Sequence, residues 1–183
     1  MKFVVNKLFS PLNYLRIFHR EKIFFDVVLP LLFTTIFLII NYKFLPHKLP
    51  ILGNDGIVNI VNGILQILSG FYIASLAAIA TASLPSLDEI MRGVPPKYIG
   101  KKSKNITRRV FLTHLFGYLS FVSLLLYFTG AIAKISISNF HIILENIYLK
   151  LVFSFIYLFG IFNLVFVTIL GLFFMIEDNI NKK

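Results

Sequence analysis

The sequence predicts an all-α integral membrane protein, a helical bundle with four transmembrane helices, an N-terminal interfacial segment and both termini in the cytoplasm. Apolar residues make up 57% of the 183 positions, compared with about 45–50% in soluble domains. A chain of this length cannot bury so much apolar surface in a soluble fold. The apolar residues form four runs long enough to cross a bilayer, as transmembrane helices require.

Residues 1–22 are predicted to form a basic amphipathic segment in the membrane interface. Apolar residues alternate there with five basic ones, which are Lys2, Lys7, Arg16, Arg20 and Lys22. Such a mixture is typical of segments that place an apolar side in lipid and a basic side toward headgroups. Because proline disrupts helix interiors, Pro11 should divide the segment into two short pieces.

Residues 23–183 are predicted to form the transmembrane domain, with spans at about 23–42, 57–84, 108–133 and 151–176. Pro30 is expected to kink the first span. The second span is longer than a bilayer requires and should tilt or protrude. After it, Ser86-Leu87-Asp88-Glu89 has the form of a capping box and predicts a short helix over Ser86–Arg92. Thr107 is expected to cap the third span.

The distribution of positive charge predicts the orientation of the chain. Four spans place on one side the 5 lysines and arginines of residues 1–22, the 7 of residues 84–109 and the 2 of the C-terminal tail, against 4 on the other side. Loops rich in lysine and arginine stay in the cytoplasm. Both termini and the basic loop 85–107 are therefore predicted to be cytoplasmic.

The basic loop allows three interpretations. Its charges could bind anionic membrane lipids and fix the topology, dock a cytoplasmic protein, or contact nucleic acid. The loop has one aromatic residue, Tyr98, and lacks the stacking residues of single-strand binders, so no direct nucleic-acid binding is expected. The predicted docking residues for a partner or lipid are Arg92, Lys97, Lys101, Lys102, Lys104, Arg108 and Arg109.

Small and polar residues recur every four positions along the second span. They are Asn62, Gln66, Gly70, Ala74, Ala78 and Ala82. Small residues at this spacing allow close helix approach, so the row predicts a helix-packing or oligomer seam. Alternatively, Asn59, Asn62 and Gln66 could line a hydrated cavity, although amides in hydrocarbon also find partners on neighbouring helices.

Asp26 is the only carboxylate well inside a predicted span, the first, and His114 is at a similar depth in the third. They could face each other, or Asp26 could pair with Arg108 or Arg109. Either arrangement could be structural. Because intramembrane ionisable groups are often functional, a proton relay or sensing pair is the alternative.

Signatures of catalysis and metal binding are missing from the sequence. There is no cysteine, and the four histidines are widely separated. No zinc-protease, nucleophile-elbow or phosphate-loop motif occurs. The sequence therefore predicts a protein that is not an enzyme and that needs no metal or other cofactor.

The overall layout resembles the KwaA family, the membrane component of the Kiwa anti-phage defence system. The resemblance is carried by the small, cysteine-free, four-span chain with cytoplasmic termini and the basic middle loop KYIGKKSKNITRR. It implies a homo-oligomer in the bacterial inner membrane that works with KwaB, a cytoplasmic partner acting on DNA. The implied role is to detect phage infection at the membrane and signal inward. No individual functional residues carry over from it.

Two other functions are compatible with the sequence. The chain could be a small oligomeric channel or transporter that conducts along Asn59–Gln66, although the interrupted inverted repeats common in transporters are missing. It could also be a structural subunit of another membrane complex.

Overall fold

The computed structural model describes residues 7, 9–53, 56–90, 96–98, 106–139 and 147–180. Within these residues, four helices are long and apolar enough to cross a membrane. We call them α1 (Glu21–Phe44), α2 (Ile57–Thr81), α3 (Arg108–Asn139) and α4 (Ile147–Ile180). The predicted fold class, a bundle of four membrane-spanning helices, is confirmed.

The connections place the helix ends in two groups. One end of the bundle, which we call the basic end, holds the starts of α1 and α3, the ends of α2 and α4, and the described parts of the segments before α1 and between α2 and α3. We call the other the opposite end. α2 packs along α3, α3 also contacts α4, and α4 packs against α1. The order across the bundle is therefore α2, α3, α4, α1.

Helix α1 changes its winding twice. Residues Phe24–Val28 and Ile40–Phe44 are wound as π-helix, and Leu29–Ile39 between them is α-helical. Pro30 is in the first turn after the first π segment. Proline has no N–H and cannot bond to the carbonyl four residues earlier, so the helix is irregular where the sequence places Pro30.

The segment before α1 packs on the bundle. A 3₁₀ helix, Ser10–Arg16, begins beside Pro11 and is followed by strand β1, Ile17–Phe18. Tyr14 and Ile17 are almost fully buried, and the 3₁₀ helix contacts α3. Pro11 is in the first turn of this helix, and most of the predicted piece before it is outside the described residues. The apolar side of the described part of the segment faces α3 rather than lipid alone.

Strand β1 pairs with a short piece of the basic loop. Residues Lys97–Tyr98 form strand β2, antiparallel to β1, with Ile17 opposite Tyr98 and Phe18 opposite Lys97. The N-terminal segment and the basic loop are thereby joined at the basic end.

The predicted helix over Ser86–Arg92 is wrong for the described residues. Only a 3₁₀ turn, Pro85–Leu87, forms, and Ser86 does not act as a helix cap. The following residues close the base of the loop instead: Ile90 forms a bridge with Thr107, and the Glu89 carbonyl accepts a hydrogen bond from the Arg108 N–H at 3.1 Å. These long-range bonds compete with a local helix for the same backbone groups.

The predicted cap at Thr107 is confirmed. The Val110 N–H donates to Thr107 Oγ1 at 3.5 Å, at the start of α3. This bond satisfies one of the N–H groups that a helix N-terminus leaves without an intrahelical partner.

Arg109 connects the start of α3 to the end of α2. Its Nε and Nη2 atoms donate to the two Asp88 carboxylate oxygens at 2.7 and 3.0 Å, and Nη1 donates to the Ile79 carbonyl at 2.7 Å. Ile79 is in the last turn of α2, where carbonyls lack intrahelical partners. The hydrogen bonds from Arg109 hold the pKa of Asp88 below its ordinary value.

This pKa shift predicts how the loop base responds to pH. A carboxyl with a lowered pKa in the folded state stabilises the fold above its unfolded pKa of about 3.9, and that contribution is lost as pH falls through the folded value. We expect hydrogen-exchange protection of the Asp88 and Arg108 amides, corrected for intrinsic rates, to stay constant from neutral pH to about pH 5 and to decrease below about pH 4. Asp88→Asn should reduce the protection already at neutral pH.

Glu89→Gln is the matched control, because its backbone carbonyl, the group that accepts from Arg108, remains. Protection in Asp88→Asn equal to that of the unmodified protein would contradict the role assigned to this ion pair.

Candidate functional site

Five buried polar and aromatic residues meet inside the bundle near the basic end. We call them the polar cluster: Tyr14, Lys22, Asp26, Tyr118 and Asn163. They come from the N-terminal 3₁₀ helix, α1, α3 and α4, and none is more than 7% exposed. The cluster therefore joins four separate segments of the chain.

The Asp26 carboxylate is at the centre of the cluster. The Tyr14 hydroxyl donates to Oδ1 at 2.8 Å, and the Lys22 ammonium forms an ion pair with Oδ2 from the preceding helical turn. The Lys22 Nζ atom is also 4.0 Å from the centroid of the Tyr14 ring, a cation–π geometry. Both buried charges thus have a partner and supporting contacts, as burial of an ion pair requires.

The backbone carbonyl of Asp26 is bound separately, from α4. Pro30 has no N–H to bond to this carbonyl four residues earlier. The Asn163 Nδ2 atom donates to it at 2.7 Å, and Asn163 Oδ1 accepts a hydrogen bond from the Tyr118 hydroxyl at 2.8 Å. Asn163 of α4 therefore donates to the Asp26 carbonyl the hydrogen bond that Pro30 of α1 cannot donate.

The rings of Tyr14 and Tyr118 close the cluster. They stack with a centroid separation of 4.9 Å and an interplanar angle of 29°. Burial, with a smaller contribution from the Asp26 charge, raises the pKa of the Tyr14 hydroxyl above its ordinary value, so the hydroxyl keeps its proton and donates. The N-terminal segment is thereby bonded to α1 and stacked on α3.

The predicted partners of Asp26 are wrong. Its carboxylate oxygens are bound by Tyr14 and Lys22 rather than by His114, Arg108 or Arg109. His114 is half-buried in α3, and Arg109 pairs with Asp88. Lys22 and Asp26 are four residues apart, a spacing that places two side chains on one helix face, so this pair was visible in the sequence. Tyr14, Tyr118 and Asn163 had no comparable signal.

The middle of the small and polar row on α2 does not face α3. The buried residues of this helix are Val58, Leu65, Ser69, Tyr72 and Ile79, whereas Gln66, Gly70, Ala74 and Ala78 are exposed and Asn62 and Ala82 are half-buried. A Cβ atom added at Gly70 would meet no other atom within 4 Å. The four exposed residues of the row therefore lie outside the packing contact between α2 and α3.

The two asparagines on α2 bond to neighbouring helices. Asn62 Oδ1 accepts from the Tyr157 hydroxyl at 3.2 Å, and Asn59 Oδ1 accepts from Lys134 Nζ at 2.8 Å. Gly130 makes room for Asn62, because a Cβ at this glycine would be 2.5 Å from Asn62 Oδ1. With Gln66 exposed outward, the three amides do not line the shared hydrated cavity that the sequence allowed.

The predicted docking residues are divided between described and undescribed parts of the loop. Lys97 is exposed on β2, and Arg108 and Arg109 begin α3 with buried and half-buried side chains. The remaining four are outside the described residues: Arg92, Lys101, Lys102 and Lys104. Among the residues that are described, no three histidine or acidic side chains are grouped as a metal site would require.

The ion pair in the polar cluster can be tested through stability. Asp26→Ala removes the partner of a buried ammonium, a change that costs about 3–5 kcal/mol in other proteins. We expect the variant in mild detergent to lose its monodisperse size-exclusion peak at a clearly lower temperature than the unmodified protein.

The paired change Lys22→Met with Asp26→Leu is the control, because replacing both charges leaves none unpaired and often restores stability. An unchanged melting temperature in Asp26→Ala would show that the pair does not hold α1 in place.

Comparison of the chain with protein-family models, curated proteins and solved structures gave no match.

Proposed function

We propose that this chain is a membrane sensor and scaffold subunit of a bacterial anti-phage defence complex. In this proposal it detects infection at the inner membrane and signals to a cytoplasmic, DNA-acting partner similar to KwaB. The layout of spans and the basic loop supports the proposal through the resemblance described above. The observation that carries it is the polar cluster, which bonds the N-terminal segment to the membrane helices.

The polar cluster gives a physical route for such a signal. Asn163 of α4 bonds to α1, and Tyr14 of the N-terminal segment bonds to the same residue of α1, Asp26. A movement of α1 against α4 would break or displace these bonds, because buried hydrogen bonds tolerate only small changes in distance. The displaced Tyr14 would carry β1 with it.

The pairing of β1 with β2 extends the route into the basic loop. Lys97 on β2 is exposed and is opposite Phe18. A shift of the N-terminal segment would therefore change the position of positive charge on the surface that we propose docks the partner. Charge placement of this kind affects both the rate and the specificity of association.

We also propose that the chain assembles as a homo-oligomer through the exposed row on α2. Gln66 presents an amide on a membrane-facing surface, next to Gly70. An amide in hydrocarbon is stabilised by a partner on another helix, and glycine lets that helix approach closely. A second copy of the chain would supply both an amide partner for Gln66 and a helix that packs closely against Gly70.

The docking proposal predicts the effect of charge reversal in the loop. Changing Lys101, Lys102 and Lys104 to Glu should abolish recovery of a co-purifying DNA-acting protein when the complex is isolated from its host in mild detergent. The basic side would keep 11 lysines and arginines against 4, so the orientation should persist.

The control reverses Lys43, Lys48 and Lys150, which changes the total charge equally at the opposite end. Undiminished partner recovery with the loop variant would refute docking at the loop. If the unmodified protein purifies as an oligomer with no partner, a solute-flux assay should follow, and flux would favour the channel alternative.

The oligomer proposal predicts that Gly70→Leu with Ala74→Leu disrupts assembly. The added side chains should not disturb the fold of a single chain, because the space beside Gly70 is open and Ala74 is exposed. Native mass spectrometry should show a shift from oligomer to monomer.

Gly117→Leu in α3 is the control, since a Cβ there also meets no atom within 4 Å but lies outside the α2 row. An oligomer mass that the α2 variant leaves unaltered would exclude this surface as the seam.

A further inference from the structure

A cavity of about 330 Å³ is present at the opposite end of the bundle, where α1 ends and α4 begins. It is formed by the end of α1, the connection to α2 and the first turns of α4. Its lining residues are Asn41, Tyr42, Lys48, Leu49, Pro50, Ile51, Leu52, Ile147, Lys150 and Ser154. The volume is in the range of small-ligand sites.

The connection after α1 is held over this cavity by a side-chain clamp. Asn41, only 1% exposed, accepts from the Leu49 N–H at 2.7 Å and donates to the Leu49 carbonyl at 3.3 Å. The same connection then continues into α2 through bonds from the Ile57 and Val58 N–H groups to the Pro50 and Ile51 carbonyls. The wall of the cavity is therefore built from satisfied backbone groups.

The polar side chains deep in the cavity already make hydrogen bonds within the chain, whereas its two lysine side chains are exposed and can bind an anion. Ser154 donates to the Lys150 carbonyl at 2.6 Å, and Asn41 is occupied by Leu49. Lys48 and Lys150 are exposed, and the described residues that line the cavity include no carboxylate. The Lys48 Nζ atom is 5.6 Å from the centroid of the Tyr42 ring, within the range of a cation–π contact.

We propose that this cavity binds the phosphate of an anionic phospholipid headgroup in the leaflet at the opposite end. Two ammonium groups from separate segments offer a phosphate two charge-assisted contacts. The apolar residues Leu49, Ile51 and Ile147 suit the glycerol and the start of the acyl chains, which free phosphate lacks. The proposal is independent of the defence function.

The test is lipid retention by the full-length protein in native mass spectrometry, after exchange into neutral detergent. Phosphatidylglycerol and phosphatidylcholine are added at matched concentrations. The unmodified protein should retain phosphatidylglycerol preferentially. Lys48→Gln with Lys150→Gln should reduce this retention about tenfold or more, given about 1 kcal/mol per basic residue. Lys48→Arg with Lys150→Arg should keep it.

Lys43→Gln with Lys134→Gln is the matched control, because it removes the same charge at the same end from residues outside the cavity lining. Both double variants leave the basic end unchanged, so the difference between them isolates the cavity. Equal retention by the two glutamine variants would overturn the proposal. Full competition by inorganic phosphate at equal concentration would overturn the lipid assignment in favour of free phosphate.

Discussion

The buried carboxylate of Asp26 determines how the basic end of this protein is built. A charge inside a membrane helix requires partners, and the chain provides them from two directions, Lys22 from the preceding turn and Tyr14 from the segment before the helix. The backbone of the same residue needs a third partner because Pro30 cannot donate to it, and Asn163 supplies it. One residue therefore fixes the positions of the N-terminal segment and α4 relative to α1.

Helix α2 is held differently. It packs mainly along α3, and among the described residues it is bonded to α4 by Tyr157 with Asn62 and Thr168 with Tyr72. Its remaining surface combines exposed large apolar residues, such as Ile60 and Ile67, with small residues and the amide of Gln66. The bundle thus has buried ionic and polar bonds between α1 and α4, whereas α2 is joined to it mainly by apolar packing; in the proposed oligomer, a second copy would cover the small and polar row on α2.

The sequence predicts well what depends on composition and local pattern. The four spans follow from runs of apolar residues, and the cap at Thr107 follows from residue type at a helix start. The sequence predicts poorly the features for which local and long-range hydrogen bonds compete. The capping box at Ser86 fails because Glu89 and Ile90 bond across the loop base instead. The pairing of Tyr118 with Asn163 joins residues far apart in the chain, and nothing local indicates it.

The basic residues described at the two ends of the bundle differ in whether their charges are paired within the chain. At the basic end, Lys22 is buried in an ion pair and Arg109 is bonded to Asp88 and to the end of α2, so these charges are part of the fold. At the opposite end, Lys48 and Lys150 are exposed beside a cavity whose described lining residues include no carboxylate. The number of lysines and arginines at each end predicts how the chain is oriented in the membrane. Binding of an anion depends instead on whether those side chains are exposed and not already paired. By that reasoning, the end with fewer charges offers the better-defined anion site among the described residues.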